Sequence, residues 1–347
     1  MGIKLSICIP TYNRAKFLPD LLDSIVKQID DNNKNIIEVV ISDNASKDNT
    51  KEVIDSYRSK IPNLVYFRWD ENKGADRNFI KVVELASGEY CWLMGSDDVI
   101  EDGSINYVLN FLEKNKNISG ISLNFNAYNY NLKLKIKIRP ISVIHFKENF
   151  ILNDINLIFK YLFSYFGYIS GQVVNRKLWN KVLEENKEVI ANYFNAYVHV
   201  YLISKMVLKN PLWGYINEKL VGWRSANDSF LSELGVLKRM YIDIIGYEKI
   251  SGDVLGRDNL LYKFLNEQIL KVHVTSHILN IKLNNGLEYK NLLEVLKICF
   301  KYYKRYLYFY YFVLPLLITP TFVLKIIRFI YRKTIKKIVN KANKQDE

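Results

Sequence analysis

Four short apolar runs divide the first hundred residues, and each gives way to a polar turn and then to a helical stretch. Residues 4–9 precede Phe17, Leu18, Leu21, Leu22, Ile25 and Ile29, and residues 36–42 precede Val53, Ile54 and Tyr57. Residues 64–68 precede Gly74 and then Phe79, Ile80, Val83 and Ala86. The fourth run, 89–94, ends in Gly95-Ser96-Asp97-Asp98 ahead of a helix starting near Asp102. Strand and helix in regular alternation predict an α/β fold, a mostly parallel sheet with helices on both faces. Open sheets of this kind bind ligands outside the carboxyl ends of their strands. Three polar clusters fall at such ends: 10–14, 43–44 and 97–98.

The chain has 347 residues, 49% hydrophobic and 24% charged, which suits a globular protein and excludes a disordered one. Cys8, Cys91 and Cys299 are too few and too scattered for a disulfide framework or a CxxC metal site, so a reducing compartment is expected. Residues 3–10 are too short an apolar run for a signal peptide and lack a cleavage pattern, so a cytoplasmic start is expected. Much of the formal net charge of +13 lies at the C-terminus. Lys325, Arg328, Arg332, Lys333, Lys336, Lys337, Lys341 and Lys344 stand there against only Asp346 and Glu347. This cluster follows an uncharged stretch, 306–324, and that pairing indicates an anionic membrane surface; no nucleic-acid-binding signature is present.

The acidic pair Asp97 and Asp98 suits a hard divalent cation, Mg²⁺ or Mn²⁺, which needs only one or two protein carboxylates when phosphate oxygens supply the rest. The other reading is a cap for the following helix. Asp43 and Asn44 could bond a base and ribose, or could be ordinary turn residues. Arg14 and Arg77 could pair with a diphosphate, or could face solvent.

Taken in order, Ser6-Ile7-Cys8-Ile9-Pro10-Thr11-Tyr12-Asn13-Arg14, Ser42-Asp43-Asn44-Ala45-Ser46-Lys47-Asp48, Asn72-Lys73-Gly74 with Arg77-Asn78, Ala86-Ser87-Gly88-Glu89-Tyr90 and Gly95-Ser96-Asp97-Asp98 resemble the nucleotide-binding half of family 2 glycosyltransferases. The likeness covers roughly 3–110. It implies the GT-A fold, a nucleoside diphosphate sugar donor and inversion at the anomeric carbon. It also implies roles: Pro10, Thr11, Tyr12 and Arg14 line the nucleotide pocket, and Asp43, with Asn44, binds base and ribose. Asp97 contacts ribose or metal, Asp98 is the principal metal ligand, and Arg77 and Asn78 stand beside the diphosphate. Many relatives read Asp-x-Asp-Asp where this chain has Gly95 first, one carboxylate fewer. A looser resemblance to bacterial abequosyltransferase-like enzymes of O-antigen synthesis rests on Gly74-Ala75-Asp76-Arg77-Asn78-Phe79, on 90–98 and on Arg224-Ser225-Ala226-Asn227-Asp228-Ser229-Phe230.

Single displacement needs a base for the acceptor hydroxyl. Many relatives carry an acidic pair where this chain reads Asn195-Ala196-Tyr197-Val198-His199, and no carboxylate lies between Asn192 and Lys209. The candidates are His199, which could equally be a core histidine, and Asp228, which could equally cap the next helix while Arg224 reaches phosphate. His273 and His277 have a zinc-compatible spacing without a third ligand, and a metal there is not expected.

The expected organisation is a GT-A domain over 1–225, with a nucleotide-binding half (1–125) and an acceptor-side half (126–225), then a helical region over 226–347 ending in a basic, apolar tail (306–340). Residues 133–139 alternate like a surface strand, and helices are expected around 230–250, 259–281 and 289–303. The uncharged stretch of 306–324 would reach about 28 Å as one helix, but Pro315 and Pro320 break it. An interfacial or re-entrant anchor is expected there, with a spanning helix second and a soluble helical hairpin third. The expected function is transfer of a sugar to a glycan or polyprenyl-diphosphate-linked acceptor at the cytoplasmic face of a bacterial plasma membrane, in O-antigen or capsule synthesis. The alternative is a catalytically silent nucleotide-sugar-binding scaffold.

Overall fold

A computed structural model describes residues 2–137, 146–227, 229–285 and 289–342. The chain forms two compact units, Met1–Ser229 with Gly246–Leu265, and Phe230–Ile245 with Asn266–Glu347.

The first unit is built on one sheet. Strand β1 (Leu5–Thr11) leads through α1 (Leu18–Val26) to β2 (Ile37–Asp43), then through α2 (Thr50–Asp55) to β3 (Leu64–Arg68), and through α3 (Ala75–Glu84) to β4 (Tyr90–Leu93). These four strands are parallel, in the order β3-β2-β1-β4. Both β1 and β2 are buried along their whole length, which is why they read as largely apolar runs. Leu18, Leu21, Leu22 and Ile25 bury one face of α1 in the core that Ile7, Ile9, Val39 and Trp92 also enter.

Beyond β4 the pairing changes. Strand β5 (Val99–Ile100) and α4 (Ser104–Lys114) precede β6 (Gly120–Tyr128), β7 (Phe150–Leu152), α5 (Ile155–Leu162), β8 (Gln172–Asn175), α6 (Arg176–Glu185), α7 (Val198–Lys209) and β9 (Trp213–Arg224). Here β8 runs antiparallel to both β4 and β6, β9 lies parallel to β6, and β5 and β7 pair antiparallel with β9. The sheet is therefore mixed on this side. Of the strand expected over 133–139, the described part contributes only a single bridge between Lys135 and Tyr128, and 138–145 lie outside the described residues.

A polar knot fastens the amino ends of the strands. Glu38 is buried and accepts from Ser6 Oγ at 2.5 Å, Ser87 N at 2.6 Å, Ser87 Oγ at 2.9 Å and Gly88 N at 3.2 Å. A Cβ on Gly88 would stand 2.4 Å from Ser6 Oγ. The Ala-Ser-Gly segment thus holds the fold at the edge opposite the polar clusters.

Helix α8 (Ser229–Leu255) is interrupted at Gly235, whose φ of 79° leaves the helical region, so the helix expected over 230–250 is two pieces. After α9 (Leu260–Ile269) come α10 (Thr275–Asn280), α11 (Tyr289–Tyr303), α12 (Leu314–Ile318) and α13 (Thr321–Ala342), with wider π-helical turns at Leu270–Val274, Ile281–Asn285 and Phe309–Val313. In the second unit Val274, Ile278, Val295, Cys299, Val313 and Leu317 are buried. His277 Nε2 lies 2.7 Å from Asp243 Oδ2, His273 Nδ1 lies 3.8 Å from the same oxygen, and Arg239 bonds Asp243 Oδ1. Burial opposes ionisation of Asp243, but the Arg239 charge and the His277 bond hold its carboxyl well below the usual range. The histidine pair belongs to this buried ion cluster, and no group of three or more His, Cys, Asp or Glu placed to hold a metal occurs among the described residues.

Candidate active site

Pairing brings the polar clusters together. Thr11 and Asp43 are register partners at the carboxyl ends of β1 and β2, and Met94 N donates to Cys8 O, so the turn after β4 leaves beside β1. The loops after β1 and β2 lock reciprocally. Asn13 N donates to Ser46 Oγ at 2.8 Å, Lys47 N to Asn13 Oδ1 at 2.8 Å, and Ala15 N to Asp48 Oδ2 at 3.0 Å. Asn13 and Ala45 reach these positions with φ of 52° and 62°. Pro10 and Thr11 end the buried run of β1, Thr11 Oγ1 has no hydrogen-bond partner, and Tyr12 is half-buried.

Asp43 is fully buried. Its Oδ1 accepts from Ser46 N and Oγ (2.9 and 2.5 Å), and its Oδ2 accepts from Tyr66 Oη at 2.9 Å with Arg68 Nε 3.6 Å away. Asn44 Nδ2 donates to Asn72 Oδ1, and its Oδ1 accepts from Lys73 N, which ties the second cluster to the Asn-Lys-Gly turn. Arg14 is half-buried, with Nη1 3.5 Å from Asn227 Oδ1 and its guanidinium carbon 5.5 Å from the Phe17 ring centre. Arg77 is exposed at the start of α3, its guanidinium 4.7 Å over Phe194. Asn78 corrects the expectation drawn for it. Its amide is used up in fastening β1 to β2, donating to Thr11 O and Ser42 O while its oxygen accepts from Ser42 Oγ and Trp69 Nε1. It holds the loop ends and has no group left for a diphosphate.

The acidic pair is the chemical centre. Asp98 is buried, with Oδ2 accepting from Ser170 Oγ at 2.6 Å and Tyr168 Oη at 3.1 Å, and Oδ1 from Arg224 N at 2.9 Å. Burial, and then the neighbouring charge of Asp97, push its carboxyl up to about 7 against the pull of these bonds. Asp97 is half-buried, accepts from Asn227 Nδ2 at 2.7 Å, and is likewise raised by burial. Neither residue caps α4, whose start is Gly103 with φ of 77°.

Gly95 keeps a side chain out of the tight gap beside them. A Cβ there would stand 3.0 Å from Ser170 Oγ, 3.3 Å from Asp97 Oδ1 and 3.5 Å from Asp98 Oδ2. Two crowded carboxylates at the carboxyl edge of the sheet fit a hard divalent cation with oxygen ligands. Arg224, read from sequence as able to reach phosphate, is instead buried and occupied by Asp97 O, Tyr130 O and Asp20 Oδ2.

Of the two candidate bases, only His199 lies among the described residues. His199 is buried, its ring 5.4 Å edge-on from Phe79, with neither nitrogen in a well-formed hydrogen bond, and burial lowers its pKa to about 4. It is neutral at pH 7 and a weak proton acceptor. Asp228 lies outside the described residues. The carboxylate at the start of α7 comes from α3: Asp76 accepts from Ala196 N at 2.8 Å and Val198 N at 3.0 Å, and burial raises it to about 6. Sequence reasoning assigned no role to Asp76, Ser170, Tyr168 or Asn227, because each meets its partner only through tertiary pairing.

A parallel nucleotide-binding-type half-sheet, joined to a mixed half and carrying an acidic pair at its carboxyl edge, defines a GT-A sugar-nucleotide-dependent transferase fold. The chain belongs to glycosyl transferase family 2, whose family model matches residues 6–180. It is 32% identical over 276 residues to the abequosyltransferase RfbV of Salmonella typhimurium, covering 77% of this chain and 80% of that one. It is 25% identical over 312 residues to the glycosyltransferase GlyG of Streptococcus pneumoniae, covering 86% and 97%. The crystal structure of S. aureus TarS 1–349 in complex with UDP-GlcNAc shares the fold, with a TM-score of 0.61 at 19% identity over 87% of this chain and 82% of that one.

Proposed function

We propose that this protein transfers a sugar, with inversion, from a nucleoside diphosphate donor to a hydroxyl of a cell-surface glycan or polyprenyl-diphosphate-linked acceptor. The site belongs to O-antigen or capsule synthesis at the cytoplasmic face of a bacterial plasma membrane. The observation that carries the reading is the Asp97–Asp98 pair at the carboxyl edge of the sheet, the same edge at which Thr11 Oγ1 is buried and unpartnered. Likeness to an abequosyltransferase over most of both chains supports a deoxysugar-type donor and this pathway class.

Asp98, with Asp97, would hold Mg²⁺ or Mn²⁺, which supplies neutralisation of the departing diphosphate. The chain's own residues fix the rest. Ser170, Tyr168 and the Arg224 backbone orient the Asp98 carboxylate, and Asn227 orients Asp97. Arg14, whose charge already acts on Asp97, lies on the same side for a phosphate. Asp43, held by Ser46 and Tyr66, keeps further acceptor capacity for a base.

One observation favours a second reading. Helix α7 brings no carboxylate of its own, and His199 is buried and neutral, as a catalytically silent nucleotide-sugar-binding scaffold would allow. A thermal-shift screen against UDP, CDP, GDP and dTDP, each with and without Mn²⁺, followed by donor hydrolysis, tests both. A metal-dependent shift with one nucleotide and turnover of the matching sugar donor uphold the transferase. Binding without turnover leaves the scaffold, and no shift from folded protein overturns both.

A further inference from the structure

We propose that 309–330 form a fixed, bent wedge that enters the headgroup layer of an anionic lipid surface without crossing it. This deepens the membrane placement proposed above and is independent of the sugar chemistry. Among the described residues no single helix is long and apolar enough to cross a membrane. Phe309–Ile318 and Thr321–Ile330 pass that test together, but they are bent by 111°.

The bend has a cause in the chain. Thr319 precedes Pro320 and is forced out of the helical region to φ −61°, ψ 129°, which ends α12. The carbonyls left open there are closed by a lysine. Lys282 is buried, and its ammonium donates to Leu316 O at 2.9 Å, Leu317 O at 2.6 Å and Thr319 O at 2.5 Å. A cation at a helix C-terminus satisfies both the orphan carbonyls and the helix dipole. A buried lysine placed on three carbonyls holds a set angle, as a loose tail would not.

The two arms then show their apolar sides outward. Phe309, Val313 and Leu317 recur at i, i+4 and i+8 and are buried, so one face of the first arm is used in packing. Its opposite side exposes Tyr311, Phe312 and Ile318. On α13 the stripe that a soluble helix would bury is outside: Phe322 is 65% exposed, Ile326 53%, Phe329 59% and Ile330 57%. These positions fall at i, i+4, i+7 and i+8, one helical face. Lys325 is exposed beside them and Arg328 half-exposed, and the sequence continues with Arg332, Lys333, Lys336 and Lys337. Apolar side chains interleaved with cations match a surface of acyl chains under anionic headgroups. A second copy of this chain would place like charges against each other.

The test uses the full chain with vesicles of phosphatidylcholine alone or mixed with phosphatidylglycerol. Binding is expected only with the anionic lipid. Phe322→Ser with Phe329→Ser, and separately Lys325→Glu with Arg328→Glu, each lower binding at least about tenfold, while the nucleotide-induced thermal shift stays as in the parent. Spin labels at 311 and 327 should report one narrow distance in the parent and a broad spread in Lys282→Met. Equal binding by the parent and both double variants overturns the proposal. So does absence of vesicle binding together with self-association that the phenylalanine variant abolishes, which makes a second copy the occupant. Loss of nucleotide binding with vesicle binding intact would strike the transferase reading alone.

Discussion

The backbone N–H of Arg224 donates to Asp98 Oδ1 at 2.9 Å, while its guanidinium bonds the carbonyl of Asp97 at 2.6 Å. The last residue of β9 thus grips both members of the acidic pair at the end of β4. The same guanidinium reaches Tyr130 O and Asp20, and lies 5.0 Å over the Phe17 ring. Arg224→Met keeps the backbone bond and removes the rest. Bonds of a charged group are worth about 1.5–3 kcal/mol each, so the variant should unfold at lower temperature and lose at least about tenfold in kcat/KM. A melting curve and donor-hydrolysis kinetics on the same preparation check this, and unchanged kinetics would remove Arg224 from the positioning of the pair.

Asp98 makes the metal-free protein sensitive to pH. Its folded-state value, about 7, lies above the ordinary 3.8, so the folded state holds this proton more tightly than the unfolded chain does. The folded state is therefore increasingly disfavoured as pH rises from about 4 to 7, and the penalty stays in full above that. Asp98→Asn should melt higher than the parent at pH 8 in chelator, with the difference shrinking toward pH 4. The same variant should lose transfer activity and metal-dependent nucleotide binding. A variant that is active, or that is no more stable at pH 8, would contradict the site.

His199 predicts the reverse. Buried beside Phe79 and lowered to about 4, it stays neutral at neutral pH and accepts a proton only weakly. His199→Gln should leave kcat within a few-fold and leave the shape of the pH–rate profile between pH 5 and 9 unchanged. A lost limb in that profile would restore it as the base.

Strands β1, β2 and β4 were readable because each is buried on both sides and so is written mostly in apolar residues; β3, half-buried at the end of the strand order, still coincides with the expected 64–68. The same holds for α11, where 289–303 carries its own apolar period. Strand β9 was not readable. Asn217, Glu218 and Lys219 interrupt it where its register with β6 shifts, so neither period survives. Within the site, sequence placed Asp97 and Asp98 at a strand end, but nothing local links them to Tyr168, Ser170 or Arg224. Asn78 was misplaced for the same reason: motif position says which loop a residue is in, while only the fold says which way its amide points.

Glu38 offers a test of the fold apart from the site. It is a buried carboxylate with four donors, all at the amino ends of β1, β2 and β4. Glu38→Ala would strand the Ser6 and Ser87 hydroxyls and the Ser87 backbone N–H, while Gly88 N keeps Ser6 Oγ at 2.9 Å, a cost of about 3 kcal/mol or more. Glu38→Gln would keep the shape but oppose one amide N–H to donors. Chemical denaturation should order the three proteins as parent, Gln, Ala.

Gly95 is where this chain departs from the acidic triplet of many relatives, and the structure gives the departure a consequence. A side chain there would enter the space bounded by Ser170 Oγ, Asp97 Oδ1 and Asp98 Oδ2, at 3.0, 3.3 and 3.5 Å from its first carbon. The two carboxylate oxygens are those proposed to face the cation, and Ser170, which orients Asp98, also accepts from Gly95 N at 2.9 Å. Gly95→Ala must push Ser170 or the carboxylates aside, so it should weaken Mn²⁺-dependent nucleotide binding by about tenfold or more, an order of 1.4 kcal/mol. Gly95→Asp, which writes in the third carboxylate, should do worse by crowding a third charge against a pair already raised by burial. Calorimetric titration of nucleotide at fixed Mn²⁺ reads both. If Gly95→Asp binds metal more tightly than the parent, the two-carboxylate arrangement is not a closed solution, and the site tolerates the arrangement of its relatives.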